Sequence, residues 1–173
     1  RVIVGLTVES AEGHDDVSGE PAALDIVVSG SIDDVNRHFL DRGWSDGHPV
    51  VPPTRDRIEA FLADSGHDPW KLLGVASSSG RDVTVWSIAV NAGMAGCRPE
   101  HLPVPLALPE VFLDPAHGVE HSGNTAGSHD LNLLNRPTTA VRGFHRGAGL
   151  MRSRPHPTTP DGRWLRLHPR TGF

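Results

Sequence analysis

The chain has 173 residues, which is the length of one domain with its own hydrophobic core. Its 19 glycines and 15 prolines exclude a helical bundle or a coiled coil and predict short elements joined by many loops. No apolar run approaches the roughly 20 residues of a membrane-spanning helix, so we expect no membrane contact and a cytoplasmic location. The single cysteine, Cys97, excludes an internal disulfide framework.

The net charge of −5 is unevenly distributed along the chain. Residues 1–130 carry 20 acidic and 8 basic side chains, whereas residues 131–173 carry one acid and eight arginines. An acidic body would repel a polyanion, so nucleic-acid binding is not expected. We expect this basic segment to dock on the acidic body or on a partner chain, which favours a homo-oligomer or a hetero-oligomer.

The N-terminal 30 residues are predicted to form two short strands, over Val2–Val8 and Leu24–Val28. These strands either pair with each other or belong to an arm that docks on another subunit. Residues 31–173 are predicted to form the main domain. A further short strand is predicted at Leu131–Leu134.

Two amphipathic helices are predicted in the first half of the main domain. The first spans Ser31–Arg42, with Ser31 as its cap, and the second runs from Thr54 to about Asp64. The side chains expected to face the core are Ile32, Val35, Phe39 and Leu40 in the first helix and Ile58, Phe61 and Leu62 in the second.

The next segment, Val83–Ala95, is apolar on all sides and predicts a buried helix, although its Val-rich first half is also typical of a strand. A second helix start is predicted at Cys97–Glu100, because Pro99 suits a first helical turn. Pro105 and Pro109 should interrupt any long helix after it. These elements predict an α+β fold, a single small loop-rich domain with several short helices around a small sheet.

Cys97 is the first candidate for chemistry. A thiol at a helix N-terminus beside Arg98 is stabilised as a thiolate, which makes it a candidate nucleophile or redox group. The alternative is that Cys97 is a small buried hydrophobic residue.

The chain also contains 11 histidines. Residues 117–121 match the HxxEH pattern of zinc proteases, but Pro115 and the neighbouring glycines oppose the helix that this chemistry needs. A looser zinc or iron site formed by His117, Glu120 and His121 is the alternative; otherwise no cofactor is expected.

Two loops carry further candidate residues. Residues 121–128 are small, polar and glycine-spaced, so their N–H and hydroxyl groups can face an anion; an ordinary turn is the alternative. Asp46 and His48 follow the first helix and either line a cleft or belong to a rigid turn.

Residues 43–54 (GWSDGHPVVPPT) and 89–104 (AVNAGMAGCRPEHLPV), with 120–125 (EHSGNT), resemble a largely uncharacterised bacterial family with "DGLPVVPPT" and "NAVMAGCxPEYLPV" segments. That family is associated with selenoprotein-like domains bearing a Sec-Gly-Ser-Cys motif, which this sequence lacks. The resemblance marks Asp46, Asn91, Cys97, Glu100 and residues 121–125 as site positions. This sequence departs from the pattern at His48, His101, Pro105 and Pro109.

The leading hypothesis is an enzyme, a lyase, hydrolase or oxidoreductase, that acts on a small anionic or carbonyl-bearing metabolite. The expected catalytic residues are Cys97, His121, Asp46 and Glu100, and the expected substrate-binding residues are Asn91, Arg98, Ser122, Asn124, Thr125 and His48. His121 or His48 would carry the proton, and residues 121–125 would stabilise developing negative charge. The alternatives are a metal-dependent hydrolase or lyase and a non-catalytic subunit of a larger complex.

Overall fold

The structure is a computed structural model that describes residues 2–6, 24–63, 65–76 and 80–114, together with residues 137, 140, 144 and 163. Within these residues the fold is α+β, as predicted, with short helices and two small antiparallel sheets. The predicted strand at Leu131–Leu134 lies outside the described residues. No helix in the described part of the chain is long and apolar enough to cross a membrane.

The N-terminal strands pair with each other. Strand β1 (Val2–Leu6) runs antiparallel to β2 (Asp25–Gly30), and the register shifts between Val4 and Gly5. Both strands contact helix α1 (Ile32–Asp41), and Val27 and Val28 pack against the core. A two-stranded ribbon is marginally stable by itself, so this packing contributes to its stability.

Helix α1 begins at the predicted cap. Ser31 Oγ accepts the Asp34 N–H at 3.2 Å, and the Asp34 carboxylate accepts the Ser31 N–H at 3.0 Å, which completes a capping box. Val35 and Phe39 are buried as predicted. Ile32 and Leu40 were also expected to face the core, but they are 55% and 54% exposed, because only a narrow stripe of this helix meets its neighbours.

Helix α3 (Val85–Ala95) forms the centre of the core, and all of its residues are buried. It follows strand β4 (Asp82–Thr84), so the Val-rich segment divides into a strand and a helix at the Thr84 cap. Helix α2 (Arg55–Ala63) packs across it through Ile58, Phe61 and Leu62, which are buried as predicted. The two helices approach so closely that a Cβ at Gly93 would lie 3.0 Å from Ile58 Cδ1.

The remaining elements are short. Strand β3 (Leu72–Val75), which the sequence analysis missed, pairs with β4. After α3 come a 3-10 helix (Pro99–His101), α4 (Pro103–Ala107) and α5 (Pro109–Phe112). Pro99, Pro103 and Pro109 each start one of these helices, so Pro109 does interrupt a longer helix. Pro105, which was expected to do the same, lies inside α4.

Candidate functional site

The end of helix α3 determines the environment of Cys97. Gly96 takes a left-handed turn (φ 90°), the Cys97 N–H donates to the Ala92 carbonyl at 3.0 Å, and the Gly96 N–H donates to the Gly93 carbonyl at 3.1 Å. This is a Schellman motif, in which the residue after the glycine packs back on the helix. Cys97 is accordingly 0% exposed and is a member of the hydrophobic core.

The predicted activation of Cys97 by a helix N-terminus stays a prediction, but the helix start that was expected at Cys97–Glu100 lies at Pro99. The helix that follows is one 3-10 turn capped by Arg98, too short to have a strong dipole, and Cys97 itself lies at the C-terminal end of α3. Cys97 is therefore buried beside the end of α3 that carries partial negative charge, and not at the start of a long helix. The buried-hydrophobe alternative fits this environment better.

Asp46 lies in a tight turn between α1 and α2. Ser45 Oγ donates to the His48 carbonyl at 2.7 Å and accepts the Gly47 N–H at 3.1 Å, and the His48 N–H donates to Asp46 Oδ1 at 3.3 Å. The turn leaves His48 exposed, while Asp46 is partly buried. The rigid-turn alternative for these two residues therefore describes their backbone well.

Arg163 binds Asp46 from 117 positions further along the chain. Its Nε and NH2 groups donate to the two carboxylate oxygens at 3.2 and 2.9 Å, and NH2 also donates to the His48 carbonyl at 3.0 Å. The two side chains are only 16% and 6% exposed. A shielded bidentate pair of this kind is stronger than an ordinary surface ion pair. Arg163 is one of the arginines of the basic segment, and its docking on an acidic residue is as predicted.

The pKa of Asp46 reflects this environment. Partial burial raises the pKa, but the hydrogen bonds and charge of Arg163, together with backbone N–H groups, outweigh burial. The pKa of Asp46 therefore lies below its ordinary value of 3.8, and the carboxylate is charged at neutral pH.

The chain after Asp46 connects residues 43–54 and 89–104 in space, which are the first two segments that resemble the bacterial family. The Val50 N–H donates to Asn36 Oδ1 at 2.6 Å, and the Val51 N–H donates to the Met94 carbonyl at 3.1 Å. A Cβ at Gly96 would lie 3.8 Å from Val51 Cγ2. Residues 44–51 thus cross the C-terminal end of α3, and we call this place the α3 junction.

Asn91 contributes a polar side chain to the interior of α3. It is 0% exposed, and its Nδ2 group donates to the Ser87 carbonyl at 2.9 Å. An amide in the middle of an otherwise apolar helix is costly to bury, and the helix does not need it for its own hydrogen bonds. Asn91 therefore remains a candidate binding residue.

The predicted residues in the turn after Cys97 are exposed to solvent, unlike Cys97 itself. Arg98 and Glu100 form an exposed pair at 3.8 Å, with side chains 70% and 54% exposed, so neither is shielded as a catalytic group usually is. His101, which the sequence analysis treated only as a departure from the family pattern, is instead buried. Its ring lies 5.7 Å from that of Phe144.

Several predicted residues lie outside the described part of the chain: His117, Glu120, His121, Ser122, Asn124 and Thr125. The anion-binding loop and the zinc or iron site that depend on them stay predictions. Among the residues that the structure does describe, no group of three or more His, Cys, Asp or Glu side chains is arranged to hold a metal ion.

Sequence reasoning missed the roles of Asn36, Arg163 and His101. In the sequence, Asn36 resembles an ordinary exposed helical residue. Its hydrogen bond with the Val50 N–H depends on the fold. The charge asymmetry indicated that an arginine would dock but could not select Arg163. No family model, curated protein or solved structure matches this chain, so its function is argued from the site itself.

Proposed function

We propose that this chain is an enzyme that acts on a small anionic or carbonyl-bearing metabolite, bound at the α3 junction. The observation that carries the proposal is the hydrogen bond from the Val51 N–H to the Met94 carbonyl. It holds the segment that contains Asp46 against the segment that contains Asn91 and Cys97. This contact between two segments that are distant in sequence supports a shared site.

The polar groups near the junction favour a ligand over simple packing. Asn91 is buried in a helix whose other residues are almost all apolar, and His101 is buried one turn beyond its end. Ligand sites combine apolar walls with a few buried polar side chains, and Asn91 and His101 fit that composition. Arg163 neutralises Asp46 within a bidentate pair, which limits repulsion of an anionic ligand.

The chemistry we propose stabilises negative charge on a substrate oxygen with neutral hydrogen-bond donors. This chemistry does not require a thiolate at Cys97. Preorganised donors in a site shielded from water stabilise developing oxyanions strongly. Reactions of carbonyl compounds that pass through an enolate or a tetrahedral oxyanion fit this arrangement.

Ligand binding is tested by thermal unfolding in the presence of small oxoacids, aldehydes, carboxylates and phosphate esters. A true ligand at about 100 times its Kd stabilises the fold by about 2.7 kcal/mol, which raises Tm by roughly 5–10 °C for a chain of this size. We expect at least one carboxylate or carbonyl compound to do so.

Asn91→Ala provides the site test and Ser87→Ala its matched control. Both side chains are polar and buried on α3, one turn apart, but Ser87 serves the Thr84 capping box. We expect both variants to lower Tm, and only Asn91→Ala to abolish the ligand-induced increase. Equal ligand responses in the two variants would contradict a site that includes Asn91.

A second candidate, the non-catalytic subunit, is favoured by an exposed apolar surface. Leu72 and Val75 of β3 are 52% and 50% exposed, and Val111 of α5 is 50% exposed. Helix α5 packs on β3, so these side chains belong to neighbouring elements. Groups of exposed apolar residues, unlike single ones, mark interaction sites.

Sedimentation equilibrium tests this second candidate with Leu72→Gln/Val75→Gln. Assembly through β3 predicts that the wild type is oligomeric and that the double variant dissociates without losing its fold. Leu40→Gln, an equally exposed position on α1, is the control and should leave the mass unchanged. A monomeric wild type that binds no co-expressed subunit would contradict this function.

A further inference from the structure

We propose that the Asp46–Gly47 peptide bond is a site of spontaneous isomerisation to isoaspartate, and that Arg163 holds it unreactive in the folded chain. An Asp-Gly dipeptide is especially prone to this modification, because glycine has no side chain to hinder attack by its own nitrogen. The sequence has one other such dipeptide, Asp161–Gly162. The inference concerns the chemistry of the turn and does not depend on the proposed function.

The reaction joins two groups that are neighbours in the chain. The Gly47 nitrogen attacks the Asp46 carboxyl carbon Cγ and loses its proton, and one carboxyl oxygen leaves as water, which closes a five-membered succinimide ring. Water then opens the ring at either of its two carbonyl carbons. Opening at the backbone carbonyl gives isoaspartate, in which the main chain runs through the former side chain and is one carbon longer.

The turn requires both residues of this reactive dipeptide. Gly47 has a φ of 91°, a left-handed conformation that residues with a side chain rarely adopt. Asp46 supplies the carboxylate that accepts the His48 N–H and the Arg163 guanidinium. Replacing either residue would therefore disturb the turn, so the fold retains the dipeptide and with it the chemical risk.

Arg163 opposes ring closure through its hydrogen bonds. Its Nε and NH2 groups hold the two carboxylate oxygens at 3.2 and 2.9 Å. Ring closure makes Cγ tetrahedral and removes one of these oxygens, so the reaction cannot proceed without breaking the contact. The attacking group is held as well, because the Gly47 N–H donates to Ser45 Oγ at 3.1 Å.

The charge of Arg163 acts in the same direction. A carboxylate is a poor electrophile, because its oxygen leaves as water only after protonation. Partial burial raises the pKa of Asp46, but the hydrogen bonds and charge of Arg163 outweigh burial and hold the pKa below its ordinary value. The reactive acid form is therefore rarer in the folded chain than in an unfolded one.

The modification would also prevent Arg163 from binding again in the same way. In isoaspartate the free carboxylate is attached to Cα, one carbon closer to the main chain, while Cγ becomes part of the backbone. The carboxylate thus leaves the position that the guanidinium contacts at two points. Release of Arg163 permits the reaction, and the reaction makes the release permanent.

Peptide mapping by mass spectrometry tests the protection, because chromatography separates isoaspartyl from aspartyl peptides. Wild type, Arg163→Gln and a synthetic peptide of residues 43–50 are incubated side by side at neutral pH for several weeks. We expect wild type to isomerise at Asp46 at least about ten times more slowly than the peptide, the factor expected for opening hydrogen bonds to a charged group. We expect Arg163→Gln to approach the rate of the peptide.

Ile58→Val is the matched control for lowered stability, because Ile58 is a fully buried residue of α2 that is not part of the turn. We expect Ile58→Val to lower Tm and to isomerise at the wild-type rate. Should Arg163→Gln not fold, Arg163→Lys, which keeps the charge but loses the two-point contact, provides the same comparison and should also isomerise faster than wild type.

Three results would overturn the inference. The first is equal rates in wild type and the peptide, which would show no protection. The second is equal rates in wild type and the Arg163 variant. The third is an acceleration by Ile58→Val as large as that by the Arg163 variant, which would assign the protection to overall stability.

Discussion

Asp46 shows at the scale of single residues how a surface turn gains a shielded charge. The Ser45 and Asp46 side chains fold the turn, and Arg163 then covers the carboxylate. The two steps differ in origin, because the turn is local in sequence and the ion pair is not. Only the local step can be read from the residues around Asp46.

Asp46→Asn should lower the free energy of unfolding by about 1.5–3 kcal/mol at neutral pH, because Arg163 loses its charged acceptor. The pKa of Asp46 is lower in the folded than in the unfolded chain, so this stabilisation is present above the unfolded pKa of about 3.9 and disappears as the pH falls through the folded value. Urea unfolding at several pH values measures it.

Glu59→Gln is the control for this measurement, since Glu59 is an exposed carboxylate on α2. It should change stability by less than about 0.5 kcal/mol. The Arg163 pair would contribute nothing if both substitutions had an equal effect. The same conclusion would follow if Asp46→Asn and wild type had the same pH dependence of stability between neutral and acidic pH.

Cys97 should react slowly with iodoacetamide in the folded protein. Its side chain is 0% exposed, so alkylation must wait for an opening of the structure around α3, which slows the reaction by about a hundredfold or more relative to a small thiol. Mass spectrometry of the alkylated fraction over time measures the rate. Fast alkylation with a midpoint well below about pH 8.5 would support the hypothesis that Cys97 is an activated thiolate.

Helix α3 sets the arrangement of the other elements. It is apolar on every side, which is the pattern of a buried helix, and capping by Thr84 and the Gly96 turn fix its two ends. Helix α2, helix α4 and strand β4 pack on it, and residues 44–51 cross its C-terminal end. The distance between α2 and α3 depends on Gly93, where α2 comes closest.

Gly93→Ala tests this close packing together with Ile58→Val. In an open helix, Ala in place of Gly stabilises by about 0.8–1.0 kcal/mol, but here the new Cβ would lie 3.0 Å from Ile58 Cδ1. Removing that atom in Ile58→Val should make Gly93→Ala more favourable by at least about 0.5 kcal/mol in a double-mutant cycle. If the free-energy changes of the two substitutions were strictly additive, the new Cβ would fit beside Ile58 at no cost in free energy.

The sequence predicts elements whose signals are local and misses those that depend on distant partners. Ser31 marks a helix start through its side-chain hydroxyl, and Pro99 marks one through its fixed backbone angle. Strand β3 is four residues long and pairs with only three residues of β4, so it has too little periodicity to be recognised. The surroundings of Cys97 were harder to predict, because Gly96 signals a helix end and Pro99 signals a helix start, and the thiol packs at the helix end.

At the scale of the whole molecule, the charge pattern and the site are connected. The basic segment was expected to dock on an acidic surface, and Arg163 does so at Asp46, beside the segment that crosses α3. The same contact therefore joins Arg163 to the first part of the α3 junction. Under the proposed function, the choice of metabolite would depend on polar groups from separate segments, and no single motif in the sequence specifies it.

Hydrogen–deuterium exchange with and without the most stabilising compound of the thermal-unfolding panel tests the α3 junction most directly. The account predicts that binding slows exchange in peptides covering residues 44–51 and 91–101 and leaves β3 and α5 unchanged. Slower exchange confined to β3 and α5, or no change anywhere in the chain despite a raised Tm, would contradict a ligand site at the end of α3.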